Sequence, residues 1–186
     1  YSALSFYLVY SDLKMVDTQS TSAKVQNAVI AGISTILGFL ALNLANKEFF
    51  SKNDLTCLCP PLGAVAVLLF SMPNVPASQP KAVFGGHLIA GGVSFAILEY
   101  LPQIVKLKDI PFMEGMEPGI AVALTIMAMA IMGVTHPPAG AYAFFVTSQK
   151  LSYKAILAPG LAGAFILVVV QQVIIKLRGK EQLKID

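Results

Sequence analysis

Charge is scarce in this chain: Asp, Glu, Lys and Arg make up 12% of its 186 residues, against 56% hydrophobic residues and a mean hydropathy of +0.72. A soluble domain carries about 25% charged residues, so this composition excludes a chain that hides its apolar surface in a core of its own. Cysteine is equally sparse. Cys57 and Cys59 are one residue apart, a spacing that suits neither a mutual disulfide nor, with so few ligands, a zinc site, and two small buried thiols are expected. No Gly-Lys-Ser phosphate loop, no His-Glu-x-x-His helix and no acidic pair within an apolar run occurs. The chain is therefore expected not to be an enzyme and to need no metal or other cofactor. Formal net charge is only +3, and Lys176, Arg178, Lys180 and Lys184 follow the last apolar run as a juxtamembrane anchor, without the aromatic interleaving of a nucleic-acid surface.

What is present is a set of long apolar runs. Ala28–Ala45, Ala82–Leu98, Pro118–Val134 and Ile156–Ile175 contain no Asp, Glu, Lys or Arg. Each approaches the roughly 17–25 residues that a helix needs to cross about 30 Å of hydrocarbon, where an ion costs at least ~2.5 kcal/mol. Lys24, Lys47, Lys81, Glu99, Glu117, Lys154 and Lys176 flank the runs, within reach of headgroups. Two shorter runs, Leu58–Met72 and Ala139–Thr147, follow or contain a proline pair, Pro60-Pro61 and Pro137-Pro138. Aligned on those pairs, the two segments share Pro, Pro, Gly, Ala and Ala. The expected fold is all-α: a polytopic membrane helix bundle with four long transmembrane helices, two short proline-started helices and a two-fold internal repeat. Residues 23–178 form the expected transmembrane domain. Residues 1–22, with the apolar Tyr1–Tyr10, are expected to be an interfacial or incomplete segment, and 179–186 a basic polar tail on the cytosol-like side.

Proline suits the first turn of a helix because it lacks an N–H and fixes φ. Two half-helices are thus expected to start at the proline pairs Pro60-Pro61 and Pro137-Pro138, with Gly63 and Gly140 leaving room for an anion near their dipole ends. Backbone N–H groups around Gly63-Ala64 and Gly140-Ala141 are the expected contacts. Such broken backbone persists in lipid when helices bury it or when it lines a wet cavity. The alternative is two short helices packed among longer ones. His87 and His136 are the titratable groups set in or beside these apolar segments. Each is read either as an anion partner or proton carrier, or as a neutral ring bonded to a carbonyl freed by the proline break. Protonation is expected to favour anion uptake at acidic pH. Gly85, Gly86, Ala90, Gly91 and Gly92 on one run and Gly160, Ala162, Gly163 and Ala164 on the last are expected to let helices approach closely, and Met127, Met129 and Met132 to fill gaps.

Three ordered stretches, Pro61–Phe70, Ser78-Gln79-Pro80-Lys81 through Gly85-Gly86-His87, and Thr135–Ala141 with its His136-Pro137-Pro138 triplet, resemble the signature segments of the HPP family of integral membrane proteins. The resemblance runs from about Ala28 to Ile175. Members of that family occur in bacteria, cyanobacteria and organelles of algae and plants, some of them linked to nitrite transport across the chloroplast envelope. It implies a transporter-like bundle for a small monovalent anion, nitrite above all. It also implies a chloroplast or mitochondrial inner membrane in a eukaryote and the plasma membrane in a bacterium. The chain departs from the family pattern at Val65 and Tyr142, where a Ser and a Thr are common, and at Lys81-Ala82, where Arg-Asn is common. A point charge replaces a forked guanidinium there. Those departures keep a second reading open, a structural or accessory subunit in a larger membrane complex. The expected partners are the lipid bilayer, a small anion, and a homo-oligomer or larger assembly.

Overall fold

The computed structural model describes residues 20–182, so the expected interfacial segment through residue 19 and the end of the basic tail lie outside the described residues. Among the described residues six α-helices carry the fold. The first, α1 (Thr21–Ala45), begins inside the expected N-terminal segment, because the Ser20 hydroxyl accepts a bond from Ala23 N at 3.2 Å and caps it there. It runs on through a π-helical turn (Asn46–Phe50) and a 3-10 turn (Ser51–Asn53) until Asp54 adopts φ 53°. Both proline pairs start helices where the sequence places them: α2 spans Pro61–Ser71 and α5 spans Pro137–Ser148. Between and after them lie α3 (Pro80–Ile104), α4 (Glu117–Met132) and α6 (Ala162–Gln182). No strand occurs among the described residues.

Two of the four long runs differ from expectation. Three helices, Thr21–Asn53, Pro80–Ile104 and Ile156–Gly179, are long and apolar enough to cross a membrane. The fourth, α4, has 16 residues, because Gly133 turns left-handed at φ 63° and Val134 N closes back onto Met129 O at 3.0 Å. The last run does not begin as a regular helix either. A π-helical turn over Ile156–Leu161, with Ala158 extended ahead of Pro159, precedes α6.

Apolar side chains point both ways. Leu42, Leu62, Val65, Leu69, Val83, Met129, Tyr142 and Leu167 form the inner core. On α1, Val25, Val29, Ile33, Ile36, Leu40 and Leu44 are exposed, and only 22% of that helix's most apolar stretch is buried. Water would penalise such a face at about 25 cal/mol per Å², whereas lipid solvates it. Among the described residues no Asp, Glu, Lys or Arg side chain is buried. The chain is an integral membrane protein.

Helix directions follow from particular contacts. The partner of α2 is α6, with the same sense: Leu62 lies against Gly163, and Gln171 Nε2 donates to Leu69 O at 3.1 Å. In the same way α5 runs along α3, where Ala139 lies against Gly86 and Ser94 Oγ donates to Ala143 O at 3.2 Å. Helices α3 and α6 oppose one another: Phe84 stacks on Phe165 with ring centroids 6.2 Å apart, while Gly91, further along α3, meets Ile156, further back in the chain. Opposed to α6 as well is α1, with Gly38 against Leu167 and Arg178 Nη2 donating to Asn27 Oδ1 at 2.9 Å.

The connection from α1 to α2 folds back onto α1. Asn46 Oδ1 accepts from Cys57 N and from Thr56 Oγ1, each at 3.0 Å, and Cys57 Sγ lies 3.2 Å from Leu42 O. Both cysteines are buried and free, as expected. Burial pushes the Cys57 thiol up, and pushes Cys59 up to about 12, so both remain protonated at neutral pH.

Candidate functional site

The site begins with two proline-directed turns. Gln79 stays extended ahead of Pro80, and its carbonyl opens α3 by accepting from Ala82 N at 2.9 Å and Val83 N at 3.0 Å. Two turns later His87 faces inward on the same stripe as Val83, Ala90 and Ser94. His136 is held extended by Pro137, at φ −135° and ψ 97°, and the left-handed Gly133 just before it swings it inward. The two rings meet inside the bundle with centroids 5.2 Å apart, and the Tyr142 ring lies 5.4 Å from that of His87.

The glycines of the motif are explained by this meeting. A Cβ on Gly86 would stand 2.8 Å from His136 Cβ and 3.2 Å from Ala139 Cβ, and one on Gly85 3.1 Å from Val134 Cβ. Two of the ordered sequence stretches are therefore one packing unit. The other, α2, is tied on by Ser78, whose buried hydroxyl lies 2.9 Å from Leu68 O and 2.8 Å from Met72 O. Its single proton serves both carbonyls in turn. Ser78→Ala is expected to cost about 1–3 kcal/mol and to lower the thermal unfolding midpoint in detergent by about 2–4 °C per kcal/mol; an unchanged midpoint would show that the hydroxyl is dispensable.

Both histidines bond backbone carbonyls: His87 Nδ1 to Val83 O at 2.9 Å and His136 Nδ1 to Ala77 O at 2.7 Å. A carbonyl has no proton to give, so each Nδ1 must carry the hydrogen. In the neutral ring Nε2 is then a bare acceptor. Both rings are fully buried, and neither Nε2 has a hydrogen-bond partner among the described residues. The carbonyl-bonded and the ligand-facing readings thus apply to different nitrogens of the same ring. A third unpartnered group is the buried Thr125 hydroxyl. It lies one turn from Met129 on the buried face of α4, and Met129 Sδ approaches within 3.3 Å of where a Gly86 Cβ would stand. The Tyr142 hydroxyl is engaged, donating to Ala155 O.

The remaining motif residues are placed differently from the expected paired anion site. Gly63 and Ala64 are exposed, as are Pro60, Pro137, Ala141, Gln79 and Lys81, while Pro61, Pro138 and Gly140 are buried. Gly140 faces Val122 at 4.0 Å, and a Cβ on Gly63 would meet nothing within 4 Å. Three of the first backbone donors at these helix ends are already engaged. Leu62 N bonds Cys59 O at 3.1 Å, Gly63 N bonds Pro60 O at 3.1 Å and Ala139 N bonds His136 O at 2.9 Å. Prolines 60, 61, 137 and 138 have no N–H to offer. The structure brings the histidines together and leaves the two glycine turns apart in exposure and surroundings.

Thr125 is the one site residue that sequence reasoning passed over. A hydroxyl alone in the run Ile120–Met132 was its signal. Among the described residues no group of three or more His, Cys, Asp or Glu is placed to hold a metal ion.

Apolar outward faces, a largely apolar interior that holds a few buried histidine and hydroxyl groups, and short helices started at proline pairs define a polytopic α-helical membrane protein. The chain belongs to the HPP family: the family's transmembrane region matches residues 20–183. Among curated proteins it is similar to a transmembrane protein of Dictyostelium discoideum, 26% identical over 146 residues, covering 76% of this chain and 49% of the relative. A second transmembrane protein of that organism is 28% identical over 111 residues, covering 60% of this chain and 34% of the relative. The chain thus spans half the length of the first relative and a third of the second. No solved structure matches it.

Proposed function

We propose that this chain is a non-enzymatic transport domain that passes a small monovalent anion, with nitrite as the first candidate, through the centre of its helix bundle. The observation that carries the reading is the His87–His136 pair, fully buried at 5.2 Å with both Nε2 atoms unpartnered. Two unpaired imidazole nitrogens in an apolar bundle are costly as structure alone. They become intelligible as ligand-facing groups, with the buried Thr125 hydroxyl of α4 as a further unpartnered polar group. An inverted two-fold repeat, α1–α3 against α4–α6, fits the same reading. Its support is that each short helix runs along the last helix of the other half, while those last helices oppose each other.

The accessory-subunit reading rests on a different observation, the lightly packed α1. Reconstitution separates the two. Liposomes carrying the purified chain are expected to take up nitrite faster than protein-free liposomes. Equal rates for nitrite, formate and chloride with and without protein, together with stoichiometric co-purification of another membrane protein, would replace the transport reading by the accessory one.

A further inference from the structure

The tautomer lock has a consequence for any anion that uses this site. Both Nδ1 hydrogens are committed, to Val83 O and Ala77 O, so a neutral His87 or His136 presents only a lone pair at Nε2. A lone pair repels an anion. The ring becomes a donor to the anion only by gaining a proton at Nε2, which makes it an imidazolium. The helix ends cannot substitute, since their first donors are bonded within their own turns. Neither can a buried cation, because no Lys or Arg is buried among the described residues, and the Thr125 hydroxyl can donate one hydrogen bond but carries no charge to balance the anion.

Resting on the proposed anion pathway, we infer that anion and proton occupy this site together, one proton for each anion, so that transport is an electroneutral proton–anion symport. One proton rather than two follows from the pair itself. A second imidazolium 5.2 Å from the first is repelled, and no buried carboxylate offsets it. A single monovalent anion compensates a single charge. The step balances: a proton from the entry side binds Nε2, the anion accepts the N–H, and both leave to the other side, returning the ring to its neutral form.

The surroundings leave the pair as the titrating unit. Helix α2, residues 72–79 and the turn Ile156–Leu161 contain no titratable side chain, and α4 contains only Glu117, at its first position. On α5 the titratable group is Tyr142, whose proton is committed to Ala155 O, with Cys59 as its electrostatic neighbour. On α3 the other titratable groups are Lys81, Glu99 and Tyr100, all exposed.

The same lone pairs would suit a transition metal, and that occupant is distinguished by the test. Liposomes holding a pH-reporting dye receive an inward nitrite gradient, and nitrous acid leakage is subtracted with protein-free liposomes. Expected are one proton taken up per nitrite, a rate that rises about tenfold per pH unit of acidification while the pair is mostly neutral, and no response to an imposed potassium diffusion potential. The double variant His87→Gln/His136→Gln, which places an amide NH₂ near each Nε2 position, should retain some flux but make it pH-independent and voltage-sensitive. Voltage-driven nitrite flux in the unsubstituted protein without lumenal acidification overturns the coupling and leaves the anion pathway standing. No nitrite flux above protein-free liposomes overturns the pathway and the coupling with it. Stoichiometric zinc or copper in protein purified without chelator, lost in His136→Gln, also overturns the coupling.

Discussion

Replacing His136 by alanine is expected to lower nitrite flux by about 10- to 100-fold, the loss of one charge-assisted hydrogen bond of about 1.5–3 kcal/mol at about 1.4 kcal/mol per decade. The argument is local. His136 is fully buried, its Nδ1 is anchored on Ala77 O at 2.7 Å, and its Nε2 is the atom without a protein partner. Alanine removes both nitrogens and leaves a void beside the His87 ring. Some loss of stability is therefore expected as well, and flux must be normalised to folded protein by size-exclusion profile and unfolding midpoint. A stabilised, correctly folded His136→Ala protein that transports nitrite at the original rate would remove His136 from the pathway. Because a neutral His87 presents only a lone pair at Nε2, residual flux through it should still fall as pH rises.

Much of the fold could be read from residue order because the signals involved are local. Proline removes a donor wherever it stands, so Pro61 and Pro137 start α2 and α5 as expected. Hydropathy located the long runs but misjudged their ends. It reports lipid contact, whereas helix ends are set by hydrogen bonds: Ser20 begins α1 seven residues before its apolar run, and Gly133 closes α4. At Ile156 the run is apolar throughout, yet Ala158 lies extended before Pro159 and the regular helix waits until Ala162.

The candidate site was legible in its members and illegible in its geometry. His87 and His136 stand out because ionisable groups are rare at membrane depth. That they face one another depends on α5 running along α3, a tertiary fact that no local pattern encodes. The dipole argument for Gly63 and Gly140 used the correct helix starts. It did not include the 3-10 bonds that those same starts make, from Leu62 N, Gly63 N and Ala139 N, which engage three of the first donors.

Gly163→Ala is expected to destabilise the protein by about 1–3 kcal/mol, lowering the unfolding midpoint by about 2–4 °C per kcal/mol. A Cβ there would stand 2.6 Å from Leu62 Cδ1 and 2.7 Å from Cys57 O. The leucine methyl can turn aside, but the carbonyl belongs to the backbone of a connection already pinned by Asn46 and by the Cys57–Leu42 contact. Relief thus requires α2 and α6 to separate, which would also stretch the Gln171–Leu69 bond further along the same pair. Gly92→Ala is the matched control, since a Cβ on Gly92 meets nothing within 4 Å and the position is exposed. There alanine should leave stability unchanged or raise it by up to about 1 kcal/mol through helix propensity. Equal midpoints for the two variants would mean that α2 is not clamped between α6 and the cysteine connection. A large loss at Gly163 alone would locate the close approach that holds the first short helix in the bundle.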